Sequence, residues 1–158
     1  MIKYKIRKAT KKDIPIIVKM AGLLADYHNE IEKKYWNRGE ITKDFFQKHL
    51  TEVIGKNNFL FLIVEHQQKE IGFFSADISP TRPYSKFKKM GHIANAYLQK
   101  KYRGQKIAKA ALQKILNWFK KNKIKLVELT VDSRNSDTIK AWEALGFKEF
   151  MKKMKMYL

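Results

Sequence analysis

The sequence predicts a mixed α/β fold in which one central sheet carries helices on both faces. Three observations carry that expectation. Period-two and period-3.6 hydrophobic patterns follow one another in the order β-α-α-β-β-β-α-β-α-β. The 158 residues, 44% of them hydrophobic, suffice for one sizeable core. No repeat, low-complexity linker or shift of composition divides them, so a single domain over residues 1–158 is expected.

Residues 4–9 read as the first strand. Thr10 and Asp13 both suit the N-cap of the helix that follows, and Pro15 fits its first turn best if Asp13 is the cap. Ile14, Ile17, Val18, Ala21, Leu24 and Ala25 form its apolar stripe, which His28 extends at helical spacing. A second helix is expected over about residues 43–54, ended by Gly55-Lys56-Asn57-Asn58. Residues 59–65 and 71–78 read as hairpin partners across the polar connection 66–70. The stretch 79–89, with Pro80 and Pro83, is the one long irregular segment, and residues 91–98 form the next strand. Beyond a basic turn at Arg103-Gly104, a helix carries Ile107, Ala108, Ala111, Leu112, Ile115 and Phe119 on one stripe. A strand at 126–131, a short helix ending near Leu145 and a last, split strand within 147–157 complete the order.

Composition bounds the function. Without cysteine there are no disulfides, thiol nucleophiles or thiolate metal sites, and the four histidines show no ligand spacing, so no metal is expected. No apolar leader with a cleavage site is present, and the longest apolar run, 59–64, is too short to cross a bilayer. A soluble, cytoplasmic protein without a membrane partner is expected. A formal net charge of +19 favours anionic partners. Coenzyme phosphates, nucleic acid and acidic membrane all qualify, but lysines scattered along the chain resemble a solvated surface more than a nucleic-acid stripe.

The stretch Tyr97 to Leu112, Y-L-Q-K-K-Y-R-G-Q-K-I-A-K-A-A-L, joins a strand to a helix through a basic glycine turn. The spare N–H groups and positive dipole end of such a helix suit a phosphate or pyrophosphate. With the downstream residues Asn135, Glu143, Gly146 and Phe147, the segment Tyr102-Arg103-Gly104-Gln105-Lys106-Ile107-Ala108 resembles the paired signatures of the GNAT family of acetyl-CoA-dependent N-acyltransferases. Lys106 stands where the family's turn usually has its second glycine, Thr138 where it has alanine, and Trp142 where many members have tyrosine. Lys106 is tolerable there if its backbone is ordinarily helical.

The resemblance implies a mostly antiparallel sheet and transfer of acetyl from acetyl-CoA to a primary amine by direct attack in a ternary complex. It implies that pantetheine pairs with main chain near Leu98 in a slot between two splayed strands. The pyrophosphate would meet the N–H groups of Arg103, Gly104, Gln105, Lys106, Ile107 and Ala108, the lesser alternative for Ala108 being helix core. Asn135 would touch the cofactor arm or cap its own helix, roles that are compatible. Trp142 cannot replace a tyrosine as acid, since an indole N–H does not ionise usefully. It would pack or shape the thiol end, leaving Tyr97, Tyr102, water or no group to protonate the thiolate. Residues 91–97 lack the carboxylate that many relatives use as base. His92 has a suitable pKa, Asn95 could hold a water, and a structural role for His92 stays open. Asp26, His28 and Glu30, with Glu32 nearby, lie where members build the acceptor site, or else form a solvated helix end. A CoA-binding module with lost catalysis, a nucleic-acid-binding protein and a homodimer remain open alternatives.

Overall fold

The computed structural model describes residues 2–35 and 40–158. Its elements are β1 (Lys5–Lys8), α1 (Ile14–Ile31), α2 (Glu40–Val53), β2 (Phe59–His66), β3 (Lys69–Pro80), β4 (Lys89–Leu98), α3 (Ile107–Lys121), β5 (Val127–Leu129) and α4 (Ser136–Ala144). The five strands form one sheet in sequential order. The first four pair antiparallel, and β5 joins β4 in parallel.

Alternation in β2 decides which helix covers which face. Leu60, Leu62 and Val64 join the core under α3, with Phe74, Ala76, Ile93 and Leu98 beside them. Phe61 and Ile63 point the other way, with Phe73, into the core made by α1 and α2. The stripe expected on α3 is the one buried, since Ile107, Ala111, Leu112, Ile115 and Phe119 are all enclosed. Ala108 is the exception and is exposed. Gly91 is what lets α3 lie flat on β4, because a Cβ there would stand 2.4 Å from the Phe119 ring.

Thr10 and Asp13 stand at successive N-cap positions at the entry to α1, with the Asp13 carboxylate turned back to Thr10 and Arg7 rather than onto α1. Thr10 opens a single 3-10 turn, Lys11–Asp13, through a reciprocal capping box with Asp13, and α1 starts directly behind it with Pro15 in its first turn. Arg7 on β1 then clamps this corner. Its guanidinium reaches both Asp13 carboxylate oxygens, at 2.7 and 2.9 Å, and Glu65 at 2.6 Å. Those bonds hold the buried Asp13 carboxyl down at about 2, below the usual 3.8.

Two ends differ from expectation. The fifth strand is shorter than 126–131, because only residues 127–129 meet β4 before the two chains part. No strand forms in 147–158. Strand pairing needs an edge to copy and one apolar face to bury. β5 offers three residues, and Phe150, Met151, Met154, Met156 and Leu158 stay exposed among lysines. Among the described residues no helix is long and apolar enough to cross a membrane.

Candidate active site

A β-bulge builds one wall of the site. The β3–β4 register jumps from Ser75↔Asn95 to Ala76↔Ile93, leaving Ala94 as the extra residue. Three positions separate His92 from Asn95, which would put them on opposite faces of a regular strand. The added residue restores them to one face. Gly91 and Ile93 lie against α3, as do Ala96 and Leu98 beyond the bulge, so His92, Asn95 and Tyr97 all look toward α1.

Each of these side chains has a partner on β3. The Nδ1 of His92 lies 3.1 Å from Asp77 Oδ1. Asn95 Nδ2 donates to Ser75 Oγ at 2.8 Å, which leaves the amide oxygen to accept, and Tyr97 packs on Phe73 with ring centroids 6.3 Å apart. The Asp77 bond raises the His92 pKa above its usual 6.5, against burial, and Glu128 on β5 adds to that field. His92 is therefore a stronger base than a free imidazole, and it must shed its proton before acting.

The second wall is the open edge of β4. Parallel pairing with β5 covers Gly91 to Ile93 and then stops, so the strand from Ala94 to Leu98 has no neighbour on that side among the described residues. Its outward peptide groups line a wedge between the strands, ready to pair with an extended, amide-bearing chain. At the wide end Arg103 Nε donates to the Leu98 carbonyl at 3.0 Å, tying the basic turn to the strand.

Beyond the wedge the chain makes the 3-10 turn Lys100–Tyr102, in which the Arg103 amide is consumed by the Lys100 carbonyl at 3.1 Å. Gly104 sits at φ +77° and Lys106, the residue before α3, at φ +62°, both left-handed. Lys106 thus does not meet the condition of an ordinarily helical backbone; it occupies a backbone region that glycine fills without cost and a side chain fills at about 1 kcal/mol. The first helical bond runs from the Ala110 amide to the Lys106 carbonyl, at 3.1 Å. The N–H groups of Ile107, Ala108 and Lys109 precede it and so lack helical acceptors. Ile107 offers only its amide, since its side chain is buried, whereas exposed Ala108 leaves the approach clear. Gln105 Oε1 accepts from the Ile2 amide at 3.0 Å and holds the N-terminal segment against the turn. This end of α3 combines unused donors, the helix dipole and the ammonium groups of Lys106 and Lys109, and it fits a pyrophosphate.

Asn135 caps α4, its Oδ1 accepting from the Thr138 amide at 3.3 Å. The same oxygen accepts from the Tyr27 hydroxyl at 3.3 Å, linking α1 to this loop. Trp142 packs edge-on to Phe147, with centroids 5.4 Å apart, against the α3-side core. Tyr102 packs edge-on to His66 at the β2–β3 hairpin. His28 is half-buried, and that burial lowers its pKa below 6.5 while Asp132 partly opposes it. Asp26 is half-buried and Glu30 exposed. Glu32 is engaged instead: Arg134 and Lys155 reach its carboxylate at 2.9 and 2.8 Å and hold it at about 2. Its charge is spent on strapping the C-terminal segment and the β5–α4 loop to the end of α1.

The residues missed in the sequence are Asp77, Glu128, Ser75 and Tyr27. Phe73, Ser75 and Asp77 do follow a strand alternation in which polar side chains stand on a face otherwise apolar, a signal for the first of them. Tyr27 carries no such signal. Among the described residues no cluster of three or more His, Asp or Glu groups could hold a metal ion.

The comparisons follow the same geometry. The profile described as "Acetyltransferase (GNAT) family" matches residues 23–147. An uncharacterized N-acetyltransferase of Methanocaldococcus jannaschii is 24% identical over 146 residues, 92% of this chain; the chain spans 61% of that relative's length. The structure of a predicted acetyltransferase of Clostridium acetobutylicum with acetyl-CoA superposes with a TM-score of 0.75 at 20% identity, covering 98% of this chain and 96% of that one. The aminoglycoside 6'-N-acetyltransferase AAC(6')-Ih of Acinetobacter baumannii superposes with a TM-score of 0.78 at 16% identity, covering 99% and 98%. With the profile matching most of its length, and with the strand wedge and basic helix end in the segments that carry the two signatures, this chain belongs to the acetyltransferase (GNAT) family.

Proposed function

We propose that the chain moves the acetyl group of acetyl-CoA to a primary amine by direct attack within a ternary complex. One observation carries this reading: the unpaired edge of β4, beside His92, Asn95 and Tyr97, leads through the turn that Arg103 ties to Leu98 into the unused amides at the start of α3. A linear molecule with an amide-bearing arm and a pyrophosphate matches both ends at once. The complexes and names of the structural relatives add acetyl-CoA and an amino acceptor as the chemical classes.

In this reading the edge amides of 94–98 hold the arm and polarise the thioester carbonyl, while the N–H groups of Ile107 and Ala108, with Lys106, hold the pyrophosphate. His92 takes a proton from the acceptor, directly or through a water on the Asn95 amide oxygen. Tyr97, on the same face, is the nearest phenol along β4 for the departing thiolate, since Trp142 has no proton to give. Asp26, His28 and Glu30 on the last turns of α1 draw a cationic acceptor toward that face.

Acetyl-CoA should raise the thermal midpoint, and a panel of polyamines, amino acids, aminoglycosides and lysine-rich peptides should release free thiol at a rate that climbs with pH through neutrality. Stabilisation by acetyl-CoA without thiol release to any amine would favour a binding module with lost catalysis, the reading that Trp142 motivates. Transfer to hydroxyl acceptors alone would defeat the amine assignment.

A further inference from the structure

The sheet register sets three ionisable side chains abreast on the α1 face. Asp77 on β3 pairs with His92 on β4, which pairs with Glu128 on β5. Neighbouring strands lie about 4.8 Å apart, so the imidazole stands between two carboxylates. The His92 side chain is 36% exposed and Asp77 21%, so one ring nitrogen meets Asp77 while the ring keeps an open side. Asp77 and Glu128 are the two carboxylates that favour the charged ring, and α1, packed across this face, carries the titratable groups Asp26, His28 and Glu30 toward its C-terminal end.

We infer that Asp77 is a positioning residue for His92, accepting its Nδ1–H so that Nε2 carries the lone pair that receives the acceptor's proton. The inference rests on the proposed acetyl transfer. A neutral imidazole has one N–H and one lone pair, and which nitrogen holds which is set by the partner of the other. A carboxylate can only accept, so it forces the proton onto Nδ1. In the transfer step, R–NH3+ gives one proton to Nε2, and the freed amine attacks the thioester carbonyl carbon. The C–N bond forms, the C–S bond breaks, Tyr97 gives its proton to the CoA thiolate, and the second nitrogen proton restores the phenol. The products are the acetamide, CoA thiol and His92 imidazolium, which Asp77 and Glu128 stabilise until the proton leaves to water. Glu128, pairing with the opposite side, raises the basicity without fixing the tautomer.

The test uses the full chain with 15N-labelled histidine, in wild type, Asp77→Asn, Glu128→Gln and His92→Gln. Neutral wild-type His92 should show the Nδ1–H tautomer by its nitrogen shifts. Asp77→Asn should lower the His92 titration midpoint and move the acid limb of kcat/KM by the same amount. Its kcat should fall by about 100-fold while acetyl-CoA affinity stays within about twofold. Glu128→Gln should lower the midpoint by less and keep the tautomer. An unchanged His92 titration and tautomer in Asp77→Asn would overturn the contact, and a moved titration with an unmoved pH–rate profile would overturn the positioning role. Wild-type turnover in His92→Gln would remove the base and this inference with it, leaving the transferase reading intact. Absence of thiol release from wild type, with the nitrogen shifts as expected, would sink the transferase reading and the catalytic use of the pair together.

Discussion

Replacing Ala108 by Asp tests the phosphate end of the site with two readouts of opposite sign. The side chain at 108 is exposed in the first turn of α3, beside the amides of Ile107, Ala108 and Lys109, so a carboxylate fits without repacking the core. In the free protein the new charge faces the positive end of the helix and should stabilise it by about 0.5 kcal/mol. With ligand present it opposes the pyrophosphate. Two unit charges 4 Å apart repel by about 1 kcal/mol in water and about 4 kcal/mol at the effective dielectric of a protein surface, so about 2 kcal/mol is a fair middle value. That corresponds to about 30-fold weaker binding. At a ligand concentration about 100 times the wild-type Kd, linkage stabilises the wild type by about 2.7 kcal/mol and the variant by about 0.8 kcal/mol. In a chain of this size, at about 3 °C per kcal/mol, the acetyl-CoA-induced shift in Tm should shrink from about 8 °C to about 2–3 °C. Differential scanning fluorimetry with and without acetyl-CoA measures both effects. A variant at least as stable as wild type when free, yet showing the full wild-type shift with acetyl-CoA, would place the pyrophosphate elsewhere.

Lys106→Gly should relax the left-handed backbone at φ +62°, leaving urea stability equal to wild type or up to about 1 kcal/mol higher, because glycine's greater unfolded entropy offsets part of the gain; a clear loss of stability would contradict the backbone assignment. Asp13→Asn should cost about 2 kcal/mol near neutrality, the equivalent of its carboxyl moving from 3.8 to about 2 on folding. A depressed carboxylate stabilises the fold above its unfolded pKa and ceases to as pH falls, so wild type and variant should converge between about pH 4 and pH 2 in denaturant titrations. Trp142→Phe should keep measurable turnover and acquire no new alkaline limb in its pH–rate profile, as befits a ring that packs on Phe147; complete loss of chemistry with acetyl-CoA binding intact would assign the indole a direct part.

Local features were legible in the sequence because local spacing decides them. The α3 stripe apart from Ala108, the glycine turn at Gly104, the Thr10–Asp13 start and the Asn135 cap each depend on residues within about a turn of one another, and these stand where the pattern put them. The order of strands and helices as far as α4 was readable for the same reason. What the pattern could not carry was register. The extra residue at Ala94 turns Asn95 onto the face of His92, and the fifteen positions between Asp77 and His92 close only through the β3–β4 pairing. The length of β5 depends on where β4 stops accepting a neighbour, which opens the wedge and leaves residues 147–158 without an edge long enough to extend. Glu32 reads as an open acidic residue in sequence, yet it is saturated by Arg134 and Lys155 from far along the chain. Helix and turn preferences act over a few bonds. Register, splay and ion pairing are set by which distant segments the packed core brings side by side, and that was decided only in three dimensions.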